Sequence, residues 1–332
     1  MPLVGFHASH EQIPPSELLD AVVHAERAGF GAAMCSDHWA PWSVRQGHSG
    51  YAWAWLGAAL QATSFSLGVV TAPGQRYHPA VAAQKIATLG EMFPGRFWAA
   101  IGSGEAVNEH ITGEPWPDKD TRDRRLAETI DVMRRLLAGE TVDHDGTFSV
   151  HEARLWTRPD TTPALVAAAV STETAAETAE WADGVITVDQ DRSALKDFMD
   201  AYRGAGGRGP VCVQVHLSWA PTDDEAVAIA HDQWRQSLVP PNLAWELASP
   251  EAFDERTSDA SPGEVAETLL ASSDLERHLD ALQELADLGV DRIYLHHVGQ
   301  EQRGFIDAFG EHVLPRLSTT DDAAAPTTTA GS

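Results

Sequence analysis

The stretch LVGFHASHEQIPPSELLDAVVHAERAGFGAAMCS, residues 3–36, contains two short apolar runs on either side of an amphipathic segment. The runs at 3–8 and 32–36 have the length of buried strands. Between them, residues 14–29 place Leu18, Leu19, Val22, Val23 and Ala25 on one helical face, and Gly29-Phe30 closes the segment. The order strand, helix, strand predicts a βαβ unit with parallel strands.

The same alternation continues almost to the C-terminus. Eight short apolar runs are separated by helix-like segments, and they span residues 3–8, 32–36, 66–71, 97–102, 164–170, 184–188, 211–219 and 292–298. This number of βα units predicts a closed (β/α)8 TIM barrel of the α/β class rather than an open doubly wound sheet. A Rossmann sheet would also need Gly-x-Gly-x-x-Gly after an early strand, and no such motif follows the first strands.

Two segments interrupt this alternation. Residues 141–159 predict a β-hairpin that turns at Asp145-Gly146. Residues 237–263 form a long insertion before the last unit, which we interpret as a lid over a pocket. We therefore predict one barrel domain over residues 1–317, followed by a disordered low-complexity tail over residues 318–332.

The charge balance narrows the functional classes. The chain has 49 acidic and 23 basic residues, which gives a net charge of −26. Such a surface repels phosphate backbones and anionic lipids, so we expect neither a nucleic-acid partner nor a membrane partner. No apolar run is long enough to span a membrane, and the N-terminus lacks the pattern of a signal peptide. These features favour a cytoplasmic protein.

Polar residues that can carry chemistry follow several of the predicted strands. In barrels of this kind the active site lies at the carboxyl ends of the strands. His38 and Trp42 follow the second strand in CSDHWAPW (35–42), and Glu105 follows the fourth in GSGEAVNEH (102–110). An imidazole that takes a proton, a carboxyl group that gives one and an aromatic wall make an acid–base pocket. We predict these three as the catalytic residues.

Each of these residues also has a structural interpretation. A lone histidine near a strand end is more often structural than catalytic, and Glu105 has the position of an ordinary acid in the first turn of a helix. Trp53 and Trp55 have the spacing of core residues. The histidine spacings match neither His-x-His nor His-Glu-x-x-His, so we predict no metal, while a metal-dependent barrel enzyme stays an alternative.

Several motifs together resemble the bacterial-luciferase-like superfamily of flavin and deazaflavin oxidoreductases. Within it, the chain is most similar to the branch of the glucose-6-phosphate dehydrogenases that use coenzyme F420. The resemblance covers about residues 3–317. It is carried by GFHASHEQ (5–12), SDHWAPW (36–42), APGQRYHPAVAAQ (72–84), FPGRFWAAIGSGEAVNEHITG (93–113) and the closing segment from residue 289.

This resemblance implies roles for individual residues. A flavin-type ring would lie at the mouth of the barrel, with substrate against its face. His38 would remove a hydroxyl proton, Trp42 would cover the reacting centre, and Glu105 would donate a proton to the reduced ring. The residues expected to bind the cofactor are Asp37, Val70, Ser103, Gly104 and Asn108. We also expect a homodimer that acts on a small molecule.

The sequence departs from the deazaflavin branch after the fifth strand. Val170 and Ser171 replace a Gly-Gly pair that receives the cofactor tail in that branch. A β-branched residue cannot offer the same close backbone approach, whereas Ser171 and Thr172 suit a phosphate at a helix N-terminus. FMN is therefore the favoured cofactor, and F420 is the alternative. Cations that would grip a sugar phosphate are missing after the sixth strand, which disfavours glucose-6-phosphate as substrate.

The leading hypothesis is a luciferase-like monooxygenase or dehydrogenase. It would transfer hydride between FMN and a small organic substrate, with O2 as one candidate acceptor. The first alternative is an F420-dependent dehydrogenase of a non-phosphorylated alcohol or sugar. The remaining alternatives are a metal-dependent barrel enzyme and a barrel that binds flavin without turnover.

Overall fold

Parallel strands close into a barrel in the computed structural model, which describes residues 1–317. The predicted tail at 318–332 lies outside the described residues. The strands in chain order are β1 (Leu3–Ala8), β2 (Ala32–Ser36), β3 (Leu67–Thr71), β4 (Phe97–Ile101), β5 (Val142–Asp145), β6 (Ser149–Ala153), β7 (Ala164–Ala168), β8 (Val185–Val188), β9 (Val211–Ser218), β10 (Leu270–Ala271) and β11 (Arg292–His297). All except β5, β6 and β10 form the barrel, which closes because β11 pairs with β1 and β9 pairs with β8. The predicted (β/α)8 barrel is confirmed.

Helices lie around the outside of this barrel and at its mouth. In chain order they are α1 (Pro15–Arg27), α2 (Ala52–Ala62), α3 (Pro79–Met92), α4 (Ala106–Glu109), α5 (Lys119–Ala138), α6 (Thr172–Thr178), α7 (Arg192–Gly204), α8 (Asp223–Trp234), α9 (Pro241–Ala244), α10 (Pro250–Arg256), α11 (Pro262–Ala266), α12 (Leu275–Asp287) and α13 (Arg303–His312). The first of them buries Leu18, Val22 and Ala25, as the apolar spacing predicts. No helix among residues 1–317 is both long enough and apolar enough to cross a bilayer.

Two glycines make room for large side chains inside the barrel. A Cβ atom on Gly68 would lie 2.0 Å from the ring of Trp98, and one on Gly5 would lie 2.5 Å from the ring of Tyr294. The two rings pack against each other with centroids 5.7 Å apart. They belong to an apolar cluster that fills the interior of the barrel. The open space therefore lies toward the carboxyl ends of the strands.

The two interruptions in the sequence have distinct structures. β5 and β6 pair antiparallel as a hairpin within residues 141–159. The insertion at 237–263 contains α9, α10 and the start of α11. It contacts the loops at the barrel mouth, since the backbone N–H of Ala106 donates to the Trp245 carbonyl across 3.0 Å. Asp254 of the insertion also accepts hydrogen bonds from Ser43 Oγ (2.6 Å) and Arg45 Nη2 (2.8 Å).

Candidate active site

A cavity of about 410 Å³ lies at the carboxyl ends of the strands. Its volume is in the range of pockets that hold small ligands. Eight of the ten residues predicted for the site line this cavity, namely Asp37, His38, Val70, Ser103, Gly104, Glu105, Asn108 and Ser171. Trp42 and Thr172 are not among its lining residues. The barrel thus brings together residues at the carboxyl ends of four strands, with Val70 in β3 and the others after β2, β4 and β7.

The His38 imidazole is paired with a buried carboxylate. His38 Nδ1 lies 2.7 Å from Oε1 of Glu11, whose side chain is 4% exposed. Burial by itself would lower the pKa of His38, but the charge and hydrogen bond of Glu11, together with the charge of Glu105, outweigh burial and raise the pKa above its ordinary value. Burial likewise opposes ionisation of Glu11, yet His38 and the Ser36 hydroxyl hold the pKa of that carboxyl well below its usual range. The Glu11 carboxylate therefore stabilises the imidazolium that forms when His38 takes up a proton.

Glu11 was not predicted from the sequence, and its position is fixed by two hydroxyl groups. Ser36 Oγ donates to Glu11 Oε1 across 2.5 Å, and Ser9 Oγ donates to Oε2 across 2.8 Å. Both oxygens of the carboxylate are thus held in place next to His38. A usable signal was present, because Glu11 follows the first strand at the same end of the barrel as the other candidates.

Asp37 is a buried acceptor that joins several elements. Its Oδ2 accepts from Trp53 Nε1 (2.7 Å) and Thr71 Oγ1 (2.9 Å), and its Oδ1 accepts from the Tyr77 hydroxyl (3.1 Å). The Arg76 guanidinium donates to the Asp37 carbonyl across 2.6 Å. Trp53 is buried, as its core spacing predicts, and in addition it anchors the loop that carries His38.

Arg76 connects this loop to a second buried acid, Glu109. Arg76 Nε lies 3.4 Å from Glu109 Oε1, and the backbone N–H of Arg76 donates to Oε2 across 2.6 Å. Burial raises the pKa of Glu109 to about 7, although Arg76 acts in the opposite direction. Both residues line the cavity, and neither was predicted. The sequence signal for Glu109 was its place in GSGEAVNEH, one helical turn after Glu105.

Asn108 orients Glu105 and ties two loops together. Asn108 Nδ2 donates to Glu105 Oε2 across 3.0 Å, and Asn108 Oδ1 accepts from the backbone N–H of Trp39 across 2.8 Å. Glu105 is the residue that precedes α4, and it is only partly buried. Its carboxyl group is therefore held by one amide while it lines the cavity.

The turn before Glu105 requires glycine. Gly104 has a φ of +84°, and a Cβ atom there would lie 3.2 Å from both Ala72 Cβ and Glu109 Cγ. Residues with a side chain rarely adopt this backbone conformation, and a Cβ atom at 3.2 Å would have to displace its neighbours slightly. Gly104 itself lines the cavity, so its backbone can contact a flat ring that binds there.

Trp42 contacts His38 from outside the cavity lining. Its ring meets the His38 ring edge-on with centroids 5.1 Å apart, and it meets Phe253 of the insertion at 5.4 Å. The indole thus connects His38 to the insertion. The tryptophan that lines the cavity is Trp245, which also belongs to the insertion.

Val170 and Ser171, which stand in place of the Gly-Gly pair, also lie at the cavity. Val170 lines it and remains 48% exposed. Ser171 caps α6, since its Oγ accepts from the backbone N–H of Thr174 across 3.2 Å. Lys119 and Arg122 of α5 line the same cavity. This part of the site therefore combines a bulky apolar side chain with hydroxyl groups and cations.

Burial lowers the pKa values of three other histidines near the site, which favours their neutral forms. The His296 ring lies 4.5 Å from the His7 ring and 5.2 Å from the His216 ring. Burial lowers the pKa of His7 to about 4 and that of His216 to about 3. Within residues 1–317, no group of three or more His, Cys, Asp or Glu side chains is arranged to hold a metal ion.

Comparison with known proteins decides the family. The sequence model of the family described as Luciferase-like monooxygenase matches residues 2–292. The chain belongs to this family. Similar curated proteins include the F420-dependent glucose-6-phosphate dehydrogenase of Microbacterium testaceum, which is 32% identical over 326 residues and covers 94% of this chain and 96% of the relative. The enzyme of that name from Intrasporangium calvum is 32% identical over 328 residues, covering 95% and 98%.

Solved structures give the same assignment. An F420-dependent secondary alcohol dehydrogenase, solved with an F420–acetone adduct, superposes with a TM-score of 0.87 at 30% identity, over 96% of this chain and 100% of the other. A monooxygenase from Streptomyces bottropensis superposes with a TM-score of 0.70 at 20% identity, over 96% and 100%, and this likeness concerns the fold alone. The predicted family and the predicted oxidoreductase class are confirmed.

Proposed function

We propose that this chain is a dehydrogenase that oxidises a hydroxyl group of a small uncharged substrate and passes the hydride to a flavin-type ring in the cavity. The observation that carries this proposal is the ion pair between His38 and Glu11. His38 lines the cavity, and Glu105 lines the same cavity. An alcohol that becomes a carbonyl compound loses a hydride and a proton. A carboxylate-held imidazole is suited to take the proton.

The residues present fit a flat ring near the turn at Gly104, whose backbone lines the cavity. When bound there, a flavin-type ring would supply the hydride acceptor. The chain itself would do the remaining work. His38 takes the hydroxyl proton at Nε2, Glu11 stabilises the imidazolium through Nδ1, and Glu105 holds a proton for the ring in the orientation that Asn108 imposes.

For the cofactor we propose FMN. Val170 places a β-branched side chain in the cavity, where the deazaflavin branch has glycine. The Ser171 hydroxyl and the cations of Lys119 and Arg122 suit a single phosphate group. F420 is the second candidate, and the observation that favours it is the identity of 30% and 32% to proteins named as F420-dependent enzymes.

For the substrate we propose an alcohol or sugar without a phosphate group. Arg192, the first cation after β8, is paired with Asp189 (2.6 Å) and Glu284 (3.1 Å) and does not line the cavity. Of the cations that line the cavity, Arg76 is paired with Asp37 and Glu109, whereas Lys119 and Arg122 are the ones proposed above for the phosphate of the cofactor. The secondary alcohol dehydrogenase named among the structural relatives supports the same substrate class.

A titration of the purified chain with FMN and with F420, followed by absorbance, tests the cofactor. We expect FMN to bind at least as tightly as F420. Tight binding of F420 without binding of FMN would establish the second candidate instead. Adding secondary alcohols and unphosphorylated sugars to the loaded protein should then bleach the ring absorbance.

Other outcomes of this experiment identify the remaining alternatives. A ring that binds but is neither bleached by any hydroxyl compound nor turned over with O2 would indicate a non-catalytic flavin-binding protein. Failure to bind either ring, together with activity that depends on an added divalent metal, would indicate a metal-dependent enzyme.

A further inference from the structure

Glu109 is a buried carboxyl group that the proposed reaction does not use. It is 2% exposed, and it lines both the main cavity and an adjoining one of about 10 Å³. The adjoining cavity has room for about one water molecule. Glu109 Oε2 accepts from the backbone N–H of Arg76, whereas Oε1 lies 3.4 Å from Arg76 Nε and makes no hydrogen bond among the described residues. One oxygen is therefore available to carry or release a proton.

Glu109 lies against the turn that carries Glu105. Its Cγ would be only 3.2 Å from a Cβ atom on Gly104, the residue before Glu105. Gly104 and Glu105 both line the main cavity, so a ring bound against Gly104 would also cover Glu105. Glu109 also reaches the adjoining cavity, which Glu105 does not line. Glu109 thus connects the part of the main cavity beside Glu105 to the adjoining cavity.

The charged groups around Glu109 come from four elements. Arg76 follows β3, Asp37 follows β2, Glu105 precedes α4, and Arg122 and Arg125 of α5 line the adjoining cavity. Burial is the largest influence, and the two neighbouring carboxylates act with it. Together they outweigh Arg76 and raise the pKa of Glu109 to about 7. At neutral pH the group therefore exists in both protonation states.

We propose that Glu109 stores the proton that returns to Glu105 after each turnover. This inference rests on the proposed function. After Glu105 has given up its proton on the ring side, the O–H bond of the Glu109 carboxyl group breaks and an O–H bond forms on Glu105, directly or through one water molecule. Glu109 then regains a proton from solvent through the adjoining cavity. The transfer moves one proton and changes no oxidation state.

An infrared titration of the purified chain tests the proton store without cofactor or substrate. As the pH rises, the wild-type protein should lose the infrared C=O band of a protonated carboxyl group, with a midpoint at about pH 7. The band should be missing from Glu109→Gln and present in the control Glu91→Gln, which changes an exposed acid on α3. A band that persists in Glu109→Gln, or no band that titrates near neutrality in the wild type, would overturn the proposal.

The kinetic test uses protein loaded with whichever ring binds. In Glu109→Gln, the rate of a single ring reduction should stay near the wild-type rate, because one reduction needs no proton from Glu109. The steady-state rate should fall by about tenfold or more, within reach of the effects of lost acid–base groups. Glu109→Asp, which keeps a carboxyl group, should recover most of the loss.

Three kinetic outcomes would contradict the proton store. Equal loss in the single-turnover and steady-state rates, unchanged rates, or an aspartate variant no better than the glutamine variant would each assign Glu109 a structural role. If no variant and no wild-type protein reduces a ring, the proposed function fails, and the infrared titration still reports on Glu109.

Discussion

Trp53 donates a hydrogen bond from Nε1 to Oδ2 of Asp37 across 2.7 Å, from a helix outside the barrel to the loop at its mouth. Trp55, two residues later on the same helix, is equally buried, and its Nε1 has no hydrogen-bond partner among the described residues. The two indoles therefore form a matched pair for measuring what the bond to Asp37 contributes.

Trp53→Phe should destabilise the protein more than Trp55→Phe does. Both changes remove the same ring atoms, but only the first takes a donor from a buried carboxylate. We expect the difference in the free energy of unfolding to be about 1.5–3 kcal/mol, as for hydrogen bonds to charged groups. Urea unfolding of the two variants measures it, and equal losses would show that the bond contributes nothing net.

Glu11→Gln should move the pH dependence of activity to lower pH. Glu11 raises the pKa of His38, and the imidazole acts as a base only when it is neutral. Without the carboxylate, burial lowers that pKa, so the acidic limb of the kcat/KM profile should shift down by about 1–3 pH units. The maximal rate should fall, because the imidazolium loses its partner. The control is Glu17→Gln on the exposed face of α1, and an unshifted profile in Glu11→Gln would contradict the pairing.

The same pair should make stability depend on pH. The pKa of Glu11 lies below its ordinary value of 4.5, so its contribution is present above that value and is lost as the pH falls through the lowered pKa. The pKa of His38 lies above 6.5, so its contribution is present below that value and is lost as the pH rises through the raised pKa. The loss of stability in Glu11→Gln should thus be largest between about pH 4.5 and 6.5, as measured by denaturant unfolding. A pH-independent difference would refute the ion pair.

His38→Ala should lower turnover by about 10²–10⁴-fold, the usual cost of removing a general base. Cofactor binding should stay largely intact, because most of the cavity lining comes from other loops. Stopped-flow reduction of the bound ring measures the loss, and His312→Ala on the exposed end of α13 is the control. A wild-type rate in His38→Ala would make the imidazole structural.

Gly104→Ala should destabilise the fold and weaken cofactor binding. The added Cβ would be held at a φ of +84° and would lie 3.2 Å from Glu109 Cγ, at an expected cost of about 1–3 kcal/mol. Gly57→Ala on α2 is the matched control, because nothing lies within 4 Å of its Cβ position. That control should gain about 0.5–1 kcal/mol of stability from helix propensity. Thermal melts and FMN titrations of both variants test the contrast, and similar results would contradict it.

Val170→Gly should raise the affinity for F420. It removes the side chain that stands where the deazaflavin branch has glycine, and we expect about a tenfold gain, or 1.4 kcal/mol. Thr88→Ala is the control, since Thr88 is exposed on α3, does not line the cavity and should leave both affinities unchanged. Calorimetry of both cofactors against both variants measures this. An unchanged F420 affinity in Val170→Gly would remove the steric argument for FMN.

Much of the fold was predictable because strand and helix patterns are local. The predicted runs at 3–8 and 32–36 coincide with β1 and β2, and the others agree within two residues. The run at 164–170 was too long, since pairing between β7 and β8 ends at Ala168 and Ile186. Ala169 and Val170 continue the apolar pattern beyond the last paired residue, so the pattern alone could not mark the end of β7.

The sequence by itself determined the barrel, the family and the end of the barrel where His38 and Glu105 lie. Apolar periodicity is a short-range property, and the carboxyl ends of parallel strands always share one face. Only the tertiary structure decided which side chains meet there. Glu11 reaches His38 because β1 and β2 pair with Ala8 opposite Cys35, which sets the following loops side by side. Trp53 reaches Asp37 only after its helix has packed on the barrel. A hydrogen bond requires its donor and acceptor to be placed within a few tenths of an ångström. Strand register and packing set that placement, and spacing along the chain does not.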